Sequence, residues 1–110
     1  MNEIVTLLQT HGMLFKKLEL IDPKTLKSRK KIAVYEGVDL KSYYTAIFVV
    51  RQKSRFLRKN ADEIEALFET MKSLRDYAIK KRVLVYEMPF CSKAQTLMKE
   101  RGWRLIDAAG

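Results

Sequence analysis

Five cations, Arg51, Lys53, Arg55, Arg58 and Lys59, fall within nine residues of the 110-residue sequence, with Phe56 and Leu57 set among them. Guanidinium and ammonium groups at this density suit one kind of chemistry: they make charge-assisted hydrogen bonds to phosphate oxygens and release condensed counterions in doing so. The stretch 24–31 is a second basic arm, in which Lys27, Arg29 and Lys30 extend the same footprint. The competing reading is a solvated strand exit whose cations pair with Asp62, Glu63 and Glu65, beside a solvated hairpin loop. Both readings stand on local sequence alone. The formal net charge of +9 tips the balance toward a polyanionic partner.

Other reactive residue types are sparse. Cys91 is the single cysteine, which excludes an intrachain disulfide, and no Cys and His cluster at zinc-ligand spacing. Cys91 precedes a short amphipathic stretch, where a helix dipole and Lys93 favour the thiolate; a small buried side chain is nonetheless the preferred reading. His11 sits beside Gly12 without an acidic or Cys neighbour, and reads as a partner for a helix C-terminus rather than as a base. Tyr35, Tyr43 and Tyr44 have rings that stack well on bases, but their strand-like spacing reads first as packing.

The stretch 43–78 supplies most of the framework that positions these groups. Residues 43–50 carry β-branched and aromatic types on both alternating faces, the pattern of a strand covered on both sides in the middle of a sheet. Beyond the basic knuckle, Ile64, Leu67, Phe68, Met71, Leu74 and Ala78 recur at spacings of three and four and predict one long helix. It would open with an Asn60 and Glu63 capping box and end in Lys80, Lys81 and Arg82 at its negative pole. Upstream, Ile4, Leu7 and Leu8 predict a short helix over 2–10, stopped at Gly12. Strands over 13–21 and 31–38 flank the Asp22-Pro23 turn, with Gly37 bulging or ending the second. Downstream come a short buried strand over 83–86, a helix capped by Ser92 with Ala94, Leu97 and Met98 inward, and a last strand over 103–106. The order α-β-β-β-α-β-α-β predicts a single α/β domain over 1–110. In it a meander is joined through a helical crossover to strands parallel to the central one, giving a mixed sheet flanked by helices.

Taken with this order, two stretches resemble the restriction-endonuclease-like superfamily of PD-(D/E)XK nucleases. Val49-Val50-Arg51-Gln52-Lys53-Ser54-Arg55 is similar to the V-E-V-K-S-R strand of archaeal Holliday-junction resolvases. The segment 83–107, VLVYEMPFCSKAQTLMKERGWRLID, is similar to the closing strand, helix and strand of methyl-directed restriction enzymes. The resemblance implies a restriction-endonuclease-like fold. It also implies a site where a carboxylate late in the second strand and a Glu of the third hold a divalent metal beside the scissile phosphate, while a Lys stabilises charge. Carried over residue by residue, it gives Asp39 or Glu36 as the first carboxylate and metal ligand, and Asp39 with Lys53 as the catalytic pair. Arg51 stands where the metal-binding Glu belongs, a guanidinium cannot ligate a cation, and no acidic residue occurs over 40–61. An active site would need a carboxylate from elsewhere, for example Glu3 or Glu87. The segment 86–98 also resembles the glutaredoxin stretch in which a strand leads to a Cys at a helix start, but Met88 and Ala94 stand where the second Cys would be.

The function expected is a nucleic-acid-binding domain with lost or altered nuclease activity, acting on DNA or structured nucleic acid and carrying no cofactor. An active metal-dependent nuclease, which would bring Mg²⁺, and a small structural or acidic-partner-binding protein are the alternatives. The first residues lack the basic flank and long apolar run of a secretory signal, and no apolar stretch approaches the roughly 20 residues of a membrane span. A cytoplasmic location and no membrane contact are therefore expected, and a homodimer is compatible with the sequence.

Overall fold

Residues 45–50 form a run of six buried positions, all β-branched or aromatic except Ala46, so both faces of this strand must be covered. The computed structural model describes residues 2–22 and 32–108, and it covers both faces with helices. In chain order the elements are α1 (Asn2–Thr10), β1 (Phe15–Ile21), β2 (Ile32–Asp39), β3 (Tyr44–Arg51), α2 (Arg58–Ser73), β4 (Ile79–Glu87), α3 (Ser92–Glu100) and β5 (Trp103–Asp107). The five strands lie in the order β1-β2-β3-β4-β5. The first three form an antiparallel meander, and β4 and β5 run parallel to β3. The expected central strand is therefore central, and the expected mixed sheet is observed. The basic arm over 24–31, with Lys27, Arg29 and Lys30, lies outside the described residues.

The two cores follow from side-chain alternation along β3. Ala46, Phe48 and Val50 face α2 and α3, which bring Ala61, Ile64, Phe68 and Met71 and then Ala94 and Met98. Trp103 closes this layer edge-on, with its ring centre 5.4 Å from Phe48 and 5.5 Å from Phe68. Ile47 and Val49 face the other way, under Ile4 and Leu8 of α1 and beside Val83, Val85 and Ile106.

Three local features differ from the sequence reading. The long helix ends at Ser73 rather than Ala78, and Lys80, Lys81 and Arg82 belong to β4. The parallel ladder from Tyr44↔Ile79 to Arg51↔Glu87 uses the whole length of both strands, and this pairing outweighs the preference of cations for a helix C-terminus. The 74–78 connection is pinned by contacts that helical periodicity cannot report. Tyr77 stacks on Tyr44 at 3.8 Å, its hydroxyl donates to Glu36 at 2.7 Å, and Arg75 Nε donates to the same carboxylate at 2.9 Å. Burial and the bond to the Glu36 carboxylate push the Tyr77 hydroxyl up to about 12. Gly37 neither bulges nor ends β2, but pairs regularly with Leu18 and Thr45. The Phe15 ring lies where a Cβ at Gly37 would come within 2.7 Å of it, so the position takes glycine for close approach.

Both downstream helix starts are also shifted. Leu57 is the N-cap of α2, and Asn60, three residues inside, reaches back so that its Oδ1 accepts the Leu57 N–H at 2.8 Å. The capping group is thus the later residue of the pair, not the earlier one. Asn60→Ala is expected to lower global stability by about 1 kcal/mol, read as a shifted urea midpoint at unchanged slope. Likewise Cys91, not Ser92, is the N-cap of α3.

Candidate nucleic-acid interface

Parallel strands followed by helices put the same kind of end on the same edge: β3 and β4 deliver their carboxyl ends together, and α2 and α3 begin there. A parallel bridge between Phe56 and Phe90 ties the two exits, with Phe56 N–H donating to the Pro89 carbonyl at 2.8 Å and Cys91 N–H to the Phe56 carbonyl at 3.0 Å. The knuckle after β3 is therefore fixed against the start of α3. Phe56 is buried in the α2 and α3 core, while Lys53, Arg55, Arg58 and Lys59 are exposed. Leu57 is exposed as well.

None of those four cations forms an ion pair with another described residue. Two carboxylates that competed for them in the sequence reading are engaged elsewhere. Asp62 accepts from Arg101 at 2.9 Å, and Glu65 accepts from Arg82 at 3.2 Å and from Trp103 Nε1 at 2.9 Å. Lys93, in the first turn of α3, adds a cation to this edge that local sequence ties only to Cys91. A groove of about 500 Å³ between the two helices is lined by both Arg58 and Lys93. Cys91 is half-buried rather than enclosed. Its thiol is lowered from its ordinary range, first by the N–H groups of Ala94 and Lys93 at the helix start and then by the charges of Arg55 and Lys93.

Arg51 behaves differently. It projects from the α1 face of the sheet, where its Nε lies 3.2 Å from Glu87 and its Nη2 3.6 Å from Glu3. Three elements thus bring two carboxylates onto one guanidinium, which stays half exposed on this face.

The structure does not bring Asp39 or Glu36 to Lys53. Asp39 ends β2 at the turn into β3, where its carboxylate accepts from the N–H groups of Lys41 and Tyr43 at 2.9 Å and pairs with Lys81 at 3.1 Å. The Tyr43 N–H foremost, with Lys81 and the Lys41 N–H, holds its carboxyl below the usual range. At about 3.3 Å per residue, the far end of β3 is about 23 Å away. Glu36 pairs with Ala46, five residues short of Arg51, and on the opposite face it is bound to Arg75 and Tyr77. Tyr43 and Tyr44 share the distant end with Asp39, so a base-stacking platform beside the knuckle is not formed.

No protein-family model and no curated protein matches the chain. Among solved structures, the crystal structure of a repair endonuclease from Pyrococcus abyssi aligns with a TM-score of 0.58 at 16% identity, over 96% of this chain and 45% of that one. The structure of EndoMS in apo form aligns with a TM-score of 0.53 at 17% identity, over 96% and 44%. The fold is restriction-endonuclease-like. The chain spans less than half the length of either neighbour. On the resemblance read from its sequence, a restriction-endonuclease-like site would carry a metal-binding Glu where Arg51 stands. The donor set here does not fit a divalent cation, because a guanidinium fills the space between Glu3 and Glu87. No group of three or more potential ligands occurs among the described residues. No helix among them is long and apolar enough to cross a membrane.

Proposed function

We propose that this chain is a nucleic-acid-binding domain of restriction-endonuclease-like fold in which metal-dependent cleavage is lost. Its binding edge is formed by Lys53, Arg55, Arg58, Lys59 and Lys93, its additional arm by Lys27, Arg29 and Lys30, and its partner is DNA or structured nucleic acid. The observation that carries this reading is where the cations sit. Both α2 and α3 lack an acidic residue in the first turn, and instead Arg58, Lys59 and Lys93 occupy it. The helix dipole disfavours cations there, so the arrangement costs stability while it concentrates positive potential at the two helix starts, which suits phosphate. The repair endonucleases that share the fold favour DNA over an acidic protein as the polyanion.

Arg51 supports the loss of cleavage. It supplies, as part of the chain, the positive charge that a bound cation would otherwise bring to Glu3 and Glu87. The test is a fluorescence-anisotropy titration of labelled duplex and branched DNA, followed by incubation with Mg²⁺ or Mn²⁺. The expected result is binding at low salt with log K falling linearly against log salt, and no cutting above background. Robust metal-dependent cutting, lost in Lys53→Ala, would return catalysis to this edge.

A further inference from the structure

At the opposite edge of the sheet, a second cavity of about 470 Å³ opens between the end of α1, the Asp39 turn and the amino ends of β4 and β5. Its lining includes Lys41, Lys80, Lys81 and Arg104, against one carboxylate, Asp39. Asp39 is paired with Lys81, and Arg104 donates to the His11 carbonyl at 2.8 Å, capping the last turn of α1. The side chains of Lys41 and Lys80 have no ion-pair partner among the described residues. Thr45 also lines this cavity. It is 1% exposed, and its hydroxyl has no hydrogen-bond partner among the described residues. A buried hydroxyl without a partner is costly, and such a group beside a cavity marks where a ligand atom completes the bonding. Leu14 and Leu40, 51% and 64% exposed, give the same cavity an apolar rim that water does not reward.

We infer that this cavity binds a small phosphate ester of nucleotide size, with its phosphate among Lys41, Lys80 and Arg104, the Thr45 hydroxyl donating to it, and its body against Leu14 and Leu40. The charge balance selects an anion, the volume falls in the range of about 300–1,000 Å³ used by small-molecule sites, and the rim selects a ligand with an apolar or planar part. The site is independent of the nucleic-acid edge, since the length of β3 separates them.

The test is an NMR titration of the ¹⁵N-labelled chain with a nucleoside 5′-monophosphate, the matching nucleoside and inorganic phosphate. The expected result is saturable shifts at Lys41, Thr45, Lys80 and Arg104 with the monophosphate, competition by phosphate, and affinity for the nucleoside at least about tenfold weaker. Thr45→Val is expected to weaken the monophosphate about tenfold while leaving the thermal midpoint equal or higher, because the hydroxyl it removes has no partner in the free protein. Lys41→Gln with Lys80→Gln, both on the surface and safe for folding, gives a second loss of about tenfold or more, and Lys72→Gln none. Equal affinity in all these variants, or shifts confined to residues 53–59, would overturn the inference.

Discussion

Arg51→Glu is expected to create a divalent-cation site, with Mn²⁺ bound at about 10⁻⁴–10⁻³ M, by analogy with the weaker all-oxygen Ca²⁺ sites. Glu and Arg side chains are isosteric as far as Cδ, so a carboxylate oxygen of the variant falls where Nε now lies, 3.2 Å from Glu87. Oxygens on adjacent corners of an octahedron with 2.0–2.1 Å bonds are about 2.9–3.0 Å apart. The spacing therefore suits two ligands of one ion, and Glu3, 3.6 Å from Nη2 in the native chain, is within reach as a third. Without metal, three carboxylates crowd one another, so the variant loses stability at neutral pH and regains it as Mn²⁺ is added. At one hundred times the dissociation constant, the regained stability is about 2.7 kcal/mol. Thermal unfolding against Mn²⁺ concentration reads this directly, and adding Glu87→Gln should abolish the response. If Arg51→Glu responds to Mn²⁺ no more than the native chain does, the convergence of Glu3 and Glu87 is only a surface ion-pair cluster.

That site was half legible in the sequence. The sequence offers Glu3 and Glu87 as carboxylates from outside the basic stretch, but nothing local says that the start of α1 and the end of β4 meet at Arg51. Their meeting depends on the parallel Arg51↔Glu87 register and on α1 crossing the same face. The element order and the central strand were legible, because five consecutive apolar residues in β3, over 46–50, admit few alternatives. Asp39 and Glu36 were misdirected by distance along the chain. In a hairpin, a residue close to the turn in sequence is far from the other end of its partner strand, and alternation sends Glu36 to the face away from Arg51. The end of α2 was hidden for a different reason: Leu74 and Ala78 continue the helical spacing, while the Glu36, Arg75 and Tyr77 contacts that stop it span about 40 residues.

Reversing Arg55 and Arg58 to Glu is expected to weaken nucleic-acid binding on the order of 10²-fold at about 0.1 M salt. Each phosphate contact releases close to one counterion, so losing two lowers the magnitude of the slope of log K against log salt by about 1.8 and removes roughly tenfold per contact. Unfolding does not account for such a loss, because Arg58 opens α2 and a Glu there meets the positive end of the helix dipole, which adds a few tenths of a kcal/mol to stability. The double reversal lowers the formal net charge by 4 from +9, so a change in overall field has to be separated from a local one. Lys72→Glu with Lys99→Glu makes the same change at the last turns of α2 and α3, away from the binding edge. From Arg58, Lys72 is about 20 Å along the helix, twice the screening length of about 10 Å at this salt, and Lys99 is about 9 Å along α3 from Lys93, close to one screening length. The control pair is therefore expected to cost less than tenfold and to leave the salt slope within about 0.5 of the native value. Equal losses in the two pairs would mean that the chain attracts nucleic acid through its net charge alone, and that the edge holding Lys53, Arg55, Arg58 and Lys93 has no particular part in it.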